Sequence, residues 1–260
     1  KNLELKAYGG KEFSVEEIMA MLLEVREALL PHIIDTTAYL QKALKEGKKI
    51  LFEGAQGAML CMTYGTFPFV TSSSPLATAI PNNTGLPLTA VEDVLGIMKA
   101  YTTRVGAGPF PTEIDGPLAD SIREKGHEFG TVTHRPRRVG WLDLPQLKYV
   151  IEISGIKRVA LMLLDVLSAV DELKLCTGYF IDGKEIDYMP STVAELEKVE
   201  PQFITMPSWK EDISSIRNYD ELPLNCRRYL ETIEEKLGVK IAMVSVGPDK
   251  EATILREELF

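Results

Sequence analysis

Near the start of the chain, apolar residues recur at helical spacing. Val15, Ile18, Met19, Leu22, Leu29 and Leu30 follow Ser14-Val15-Glu16-Glu17, whose Ser and Glu have the spacing of a capping box, and the run holds until Pro31. A helix is predicted there. A second helix is predicted from about Ile33 to Glu46, stopped by Gly47, after which Lys48 to Phe52 reads as a short buried strand entering Glu53-Gly54-Ala55-Gln56-Gly57. From Val70 to Gly116 the chain is rich in Thr, Ser, Pro, Asn and Gly around one apolar stretch, Val91 to Tyr101, whose pattern fits a helix as well as a strand.

The second half alternates more regularly. Pro145 near a helix start, Gly155 at its end and an apolar strand from Arg158 to Leu164 make an αβ unit that ends at Asp165. Leu173 to Phe180 and Glu185 to Tyr188 flank Ile181-Asp182-Gly183-Lys184, where Asp-Gly signals a hairpin. A helix within Leu222 to Leu237 stops at Gly238, and Val239 to Val246 reads as a strand running into Gly247-Pro248-Asp249. The expected fold class is α/β, with one hairpin appended and no linker or internal repeat dividing the chain.

Composition narrows the partners. A formal charge of -9 over 260 residues argues against general nucleic-acid binding, and the partners expected are small molecules. The longest apolar run, Val159 to Leu164, is far too short to span a bilayer. Cys61, Cys176 and Cys226 are odd in number and widely spaced, which suggests neither a disulfide framework nor a zinc site and fits a reducing cytoplasm. The chain opens on Lys1 rather than Met, inside an alternating polar and apolar stretch, so further sequence ahead of Lys1 is expected.

Three loops carry candidate chemistry. In Gly54-Ala55-Gln56-Gly57 the glycines allow close backbone approach, and the Gln amide donates and accepts at a purine edge or phosphate; the same residues also suit a plain tight turn. Thr131 to Arg138 crowds Arg135, Arg137 and Arg138 beside Thr133 in an acidic protein, so its natural ligand is a carboxylate or a phosphate, although a solvated basic loop has the same composition. Asp165 and Ser245-Val246-Gly247 each end an apolar strand, where ligands gather in open α/β sheets; a carboxylate there accepts from guanine, or simply caps a helix.

In order along the chain come Leu51-Phe52-Glu53-Gly54-Ala55-Gln56-Gly57, then Gly65-Thr66-Phe67-Pro68-Phe69-Val70-Thr71-Ser72-Ser73, then Thr102 to Glu113. Arg135-Pro136-Arg137-Arg138-Val139-Gly140-Trp141-Leu142-Asp143, Leu173-Lys174-Leu175-Cys176 and Gly247-Pro248-Asp249 follow. Together these blocks resemble adenylosuccinate synthetases over nearly the whole chain from Lys48 onward. The resemblance implies part of a P-loop-like nucleotide-binding fold with a central, mostly parallel sheet and flanking helices, the 260 residues forming the C-terminal portion of one domain. It further implies a GTP-dependent ligase of AMP biosynthesis, cytoplasmic and homodimeric, that joins L-aspartate to inosine monophosphate (IMP) through a 6-phosphoryl intermediate with Mg2+. On that resemblance Gln56, Thr71 and Arg135 contact IMP. Thr131, Val132, Thr133, His134, Arg135, Pro136 and Arg137 close on aspartate, and Arg137, Asp165, Ser245, Val246 and Gly247 serve GTP.

Some of the family pattern is not in these residues. The Gly-Asp-Glu-Gly-Lys-Gly-Lys segment, which supplies the catalytic Asp and the magnesium ligation, and the catalytic His after it are absent from this sequence, so the chain alone is expected not to turn over. Leu163 stands where Lys is usual, Leu60-Cys61-Met62-Thr63-Tyr64 replaces Leu-Asp-x-Asp-His, Ser74 replaces Asn, and His134 replaces Gly. These departures leave room for a paralogue that uses another 6-oxopurine nucleotide or ATP, or for a nucleotide-binding module without catalysis.

Overall fold

The computed structural model describes residues 1–131 and 134–259. In chain order the elements are α1 Asn2–Ala7, α2 Val15–Leu29, α3 Thr36–Lys45, α4 Ile80–Thr84, β1 Leu95–Lys99, β2 Thr102–Arg104, α5 Pro117–Lys125, β3 Arg138–Gly140, β4 Leu142–Asp143, α6 Leu144–Ser154 and β5 Arg158–Met162. They continue as β6 Glu172–Ile181, β7 Lys184–Ile186, α7 Val193–Leu196, β8 Glu200–Pro207, α8 Leu224–Leu237, β9 Lys240–Ser245 and β10 Thr253–Leu255.

The chain divides into two compact units, one of Lys1–Leu51 with Thr84–Leu86, the other of Phe52–Asn83 with 87–259. The first is helical. Ser14 caps α2 with the expected box, its hydroxyl accepting from the Glu17 N–H while the Glu17 carboxylate accepts from the Ser14 N–H, and Asp35 caps α3. Residues 48–52 are not a strand, contrary to the pattern, and Leu51 is exposed. A strand exists only where a neighbour takes its N–H and C=O groups, and among the described residues none pairs with this segment.

In the second unit the apolar segments assemble as β1-β5-β9-β10, with β1, β5 and β9 parallel and β10 antiparallel. Val159, Ala160 and Leu161 of the middle strand are almost wholly buried, which is why they read as a continuous apolar run. Helices α6 and α8 supply much of the covering core through Leu144, Ile151, Tyr229, Leu230 and Ile233. Both end on a left-handed glycine, Gly155 and Gly238, as expected. The Val91–Tyr101 stretch resolves as β1, aligned from Leu95↔Arg158 to Lys99↔Met162.

A second sheet is built on β6, which pairs parallel with β4 and antiparallel with β7 and β8. The β6–β7 turn has Asp182 and Gly183 both at positive φ, 51° and 72°, as a two-residue hairpin loop demands. Strand β8 escaped the sequence reading because Pro201 and Pro207 lie within it; it lies at an edge, where a missing N–H is tolerated.

Under this sheet lies a buried charge. Asp143 caps α6, is almost wholly buried, and takes the Tyr179 hydroxyl at 2.6 Å from both carboxylate oxygens. Burial lifts its carboxyl to about 6, against the opposing pull of the hydrogen bonds from Tyr179 and Gln146. The folded chain therefore holds this proton more tightly than the unfolded one, so the contribution of Asp143 to stability falls as pH rises from the ordinary 3.8 through about 6. Asp143→Asn removes that dependence: between about pH 7 and pH 4, urea denaturation should show the stability difference moving by about 1–3 kcal/mol in favour of the native protein. A difference that does not vary with pH would contradict the assignment.

Candidate functional site

Because β1, β5 and β9 are parallel, their carboxyl ends leave the sheet on one edge. After β5 the chain turns through Leu163, at φ 62°, and enters a 3-10 turn at Asp165. The Leu164 N–H donates to the Ser245 carbonyl at 3.2 Å, which joins the loop after β5 to the end of β9. Ser245 donates its hydroxyl to the Gly247 carbonyl at 2.9 Å, while Val246 is fully buried and bonds the Ala252 carbonyl. Asp165, Ser245, Val246 and Gly247 thus come together.

The Asp165 carboxylate is half-buried, and its Oδ1 has no hydrogen-bond partner among the described residues. Burial raises its pKa and Asp212 adds a like-charge push, against the opposing pull of hydrogen bonds from its own and the Val166 backbone N–H. An orphaned acceptor of this kind costs stability unless a donor arrives. Leu163 adds strain beside it, since a left-handed non-glycine residue costs about 1 kcal/mol.

Gln56 also has positive φ, 72°, and its side chain is held at both ends. Its amide nitrogen donates to Thr71 Oγ1 at 3.1 Å, and its carbonyl accepts the Ser73 hydroxyl at 3.1 Å. The segments behind it are laced by Thr71 N–H to the Leu60 carbonyl, 2.8 Å, and Met62 N–H to the Ser73 carbonyl, 3.3 Å. Cys61 and Ser74, both departures from the family pattern, touch each other: Sγ and Oγ are 3.3 Å apart. Burial alone would push the Cys61 thiol up, but hydrogen bonds from Ser74 and from the Tyr64 and Thr63 backbone hold it below its ordinary value.

At the base of the basic loop, residues 128–130 and 135–137 run antiparallel. Arg137 N–H bonds the Glu128 carbonyl at 2.9 Å, Gly130 N–H bonds the Arg135 carbonyl at 2.9 Å, and Phe129 bridges Pro136. His134 sits at φ 50° and donates its N–H to the Gly130 carbonyl, a left-handed corner of the kind glycine adopts without strain. Val132 and Thr133 lie outside the described residues; Thr131, His134, Arg135 and Pro136 are exposed.

The loop's arginines do not form one anion-holding cluster. Arg137 is paired with Glu128 at 2.8 Å, and Arg138 is bidentate to Glu113 while donating to the Gly108 carbonyl. Their partners lie 9 and 25 residues away, so local crowding could not reveal that two of the three charges are already matched. The Arg135 guanidinium makes no hydrogen bond or ion pair among the described residues, and Arg137 makes none to Asp165, Ser245 or Gly247.

Sequence reasoning missed Glu128, Lys99, Tyr101 and Arg104. Glu128 is wholly buried at the root of the loop, where its carboxylate meets Lys99 at 2.5 Å, the Tyr101 hydroxyl at 2.7 Å and Arg137. Burial would raise its pKa, but these three donors outweigh it and hold the carboxyl below its ordinary value. Arg104 joins Thr66 at 2.8 Å to the Ala107 carbonyl at 3.1 Å, tying the loop after β2 to the segment that precedes Thr71. The available signal was Lys99, a charge ending an apolar strand. Among the described residues no group of three or more His, Cys, Asp or Glu side chains is placed to hold a metal ion, and no helix is long and apolar enough to cross a membrane.

The chain is similar to known proteins of one family. The family model described as adenylosuccinate synthetase matches residues 1–254. The adenylosuccinate synthetase of Malacoplasma penetrans is 48% identical over 258 residues, covering 99% of this chain and 60% of the relative. That of Caldanaerobacter subterraneus subsp. tengcongensis is 45% identical over 261 residues, covering 98% and 61%. Among solved structures, fully ligated adenylosuccinate synthetase from Plasmodium falciparum superposes with a TM-score of 0.93 at 36% identity, over 97% of this chain and 61% of that one. A cyanophage S-2L succinoaminodeoxyadenylate synthetase shares the fold at a TM-score of 0.53 and 20% identity, over 84% of this chain and 49% of that one. The chain spans about 60% of the length of the curated relatives it matches, and it belongs to the adenylosuccinate synthetase family.

Proposed function

We propose that this chain carries the substrate-holding part of a cytoplasmic, homodimeric ligase that joins L-aspartate to IMP with GTP as phosphoryl donor. GTP transfers its γ-phosphoryl group to the 6-oxygen of IMP, releasing GDP. The aspartate amine then attacks carbon 6, phosphate leaves with the former 6-oxygen, and adenylosuccinate forms. Phosphorylation turns a poor leaving oxygen into a good one, so what remains for the protein is largely to hold three anionic reactants in line.

The observation that carries this reading is the buried Oδ1 of Asp165, which has no hydrogen-bond partner among the described residues and follows directly on the Leu164 N–H that joins Ser245 at the carboxyl edge of the sheet. An ionised carboxylate there accepts from N1–H and the exocyclic amine of guanine together, a pairing adenine cannot offer. Gln56, Thr71 and Ser73 form a polar shelf for the purine of IMP, and the Arg135 guanidinium, which has no partner among the described residues, suits a phosphate or the aspartate carboxylates. Arg137, assigned to the aspartate and GTP sides, acts from its anchored place on Glu128. Among the described residues no group of three or more His, Cys, Asp or Glu side chains is placed to hold the Mg2+ that GTP chemistry uses.

Adenylosuccinate formation from IMP, aspartate and GTP, followed by mass spectrometry on the protein at its natural length, tests the reading. Asp165→Asn should cost about 10²-fold in kcat/KM for GTP and little for ATP. No product with either donor would sink the proposal. Leu163 favours a variant of this reading in which the donor site is permissive, because it packs on a base without contributing an ammonium. Leu163→Lys should accordingly raise the preference for GTP over ATP, and an unchanged ratio would refute that variant.

Arginines of the basic loop should separate by role. Arg135→Ala is expected to raise the KM for IMP and aspartate about ten-fold or more at unchanged melting temperature. Arg138→Ala, which leaves the partly buried Glu113 without its partner, should instead destabilise by about 1–2 kcal/mol. Equal thermal losses in the two variants would contradict the division.

A further inference from the structure

Glu128 is a carboxylate with no exposed surface whose donors come from two different parts of the fold. Oε1 accepts from Lys99 Nζ at 2.5 Å and from the Tyr101 hydroxyl at 2.7 Å, both at the carboxyl end of β1. Oε2 accepts from Arg137 Nη1 at 2.8 Å, at the root of the basic loop. Space for the phenol exists because residue 126 is glycine: a Cβ there would collide with the Tyr101 oxygen.

One residue grips Arg137 twice, through the Glu128 carboxylate on the guanidinium and the Glu128 carbonyl on the Arg137 N–H at 2.9 Å. Arg123 takes the Arg137 carbonyl at 2.9 Å, so the backbone here is fixed on both sides. The guanidinium still has unspent donors, and its Nε is buried with no partner among the described residues. A buried ion pair is weak evidence for stability, since desolvation offsets most of the attraction. Its secure consequence is geometric, because two cations and a phenol around one carboxylate leave little orientational freedom.

We propose that Glu128 is a positioning residue for the amino-acid substrate: it fixes the Arg137 guanidinium against the end of β1, in the orientation in which that side chain meets a carboxylate of aspartate. The inference rests on the reading above, in which this loop takes aspartate. Removing the Glu128 charge leaves Lys99 and Arg137 as facing cations, and each drives the other from its place. Burial already depresses Lys99, and the nearby Arg137 lowers it further while Glu128 supports it.

The test is steady-state kinetics of the protein at its natural length with IMP, aspartate and GTP, comparing native, Glu128→Gln, Arg137→Ala and the double variant. Glu128→Gln should raise the KM for aspartate about ten-fold while the KM for IMP stays within about three-fold. In the Arg137→Ala background it should add nothing further to the aspartate KM, because the two residues act as one unit. A melting temperature that falls without any change in aspartate KM, or an effect that is additive with Arg137→Ala, overturns the proposal. If Glu128→Gln does not fold, Glu128→Asp, which keeps the charge but withdraws it by one methylene, is read by the same criteria. An inactive native protein defeats the functional reading and this inference together, whereas an active native protein with an unaltered variant defeats only the inference.

Discussion

The site depends first on the two parallel ladders of β5. Pairing with β1 on one side and β9 on the other aligns Lys99 with Met162 and Leu161 with Val244, so three chains leave the sheet at nearly the same level. The loops that follow therefore cannot be far apart, whatever their own conformations. Ala100 continues the ladder with its N–H on the Met162 carbonyl, and its own carbonyl takes the Tyr229 hydroxyl at 2.7 Å from α8. The buried helix and the emerging loop are thereby held by one peptide unit.

On that edge, charge is arranged by matching rather than by accumulation. Glu128 and Glu113 each neutralise an arginine of the basic loop at its root, and both pairs bind the loop to neighbouring segments. The outer residue, Arg135, is left exposed. Three mobile guanidinium groups would repel one another; with two of them anchored at the root, only Arg135 is without a partner among the described residues. Asp165 shows the complementary situation: one of its carboxylate oxygens, Oδ1, is buried and has no hydrogen-bond partner among the described residues.

Much of this architecture was legible in local sequence. The capping box at Ser14, the left-handed stops at Gly155 and Gly238, and the Asp182-Gly183 turn are set by neighbouring residues, and each stands where the pattern put it. Strand assignments succeeded where burial on both faces forces an unbroken apolar run, as at Val159 to Leu161. They failed where the outcome rests on a distant partner. Lys48 to Phe52 has strand-like residues but no neighbour to complete a ladder, and Pro201 and Pro207 disguised an edge strand paired to β6. Similarly, the positive charge of the basic loop was visible in composition while its pairing was not, because Glu113 is 25 residues from Arg138. Residue order gave the family; the division of labour among Arg135, Arg137 and Arg138 needed coordinates.

On the proposed reading, ligands gather where β1, β5 and β9 end and at the Gln56 and Arg135 loops. Hydrogen–deuterium exchange with IMP, then aspartate, then a guanine nucleotide tests it most directly. Protection should appear first across residues 54–74, next across the loop around Arg135, and finally at 163–165 and 245–247. Protection confined to the opposite edge around Val239 and Lys240, or none with any ligand, would contradict the account.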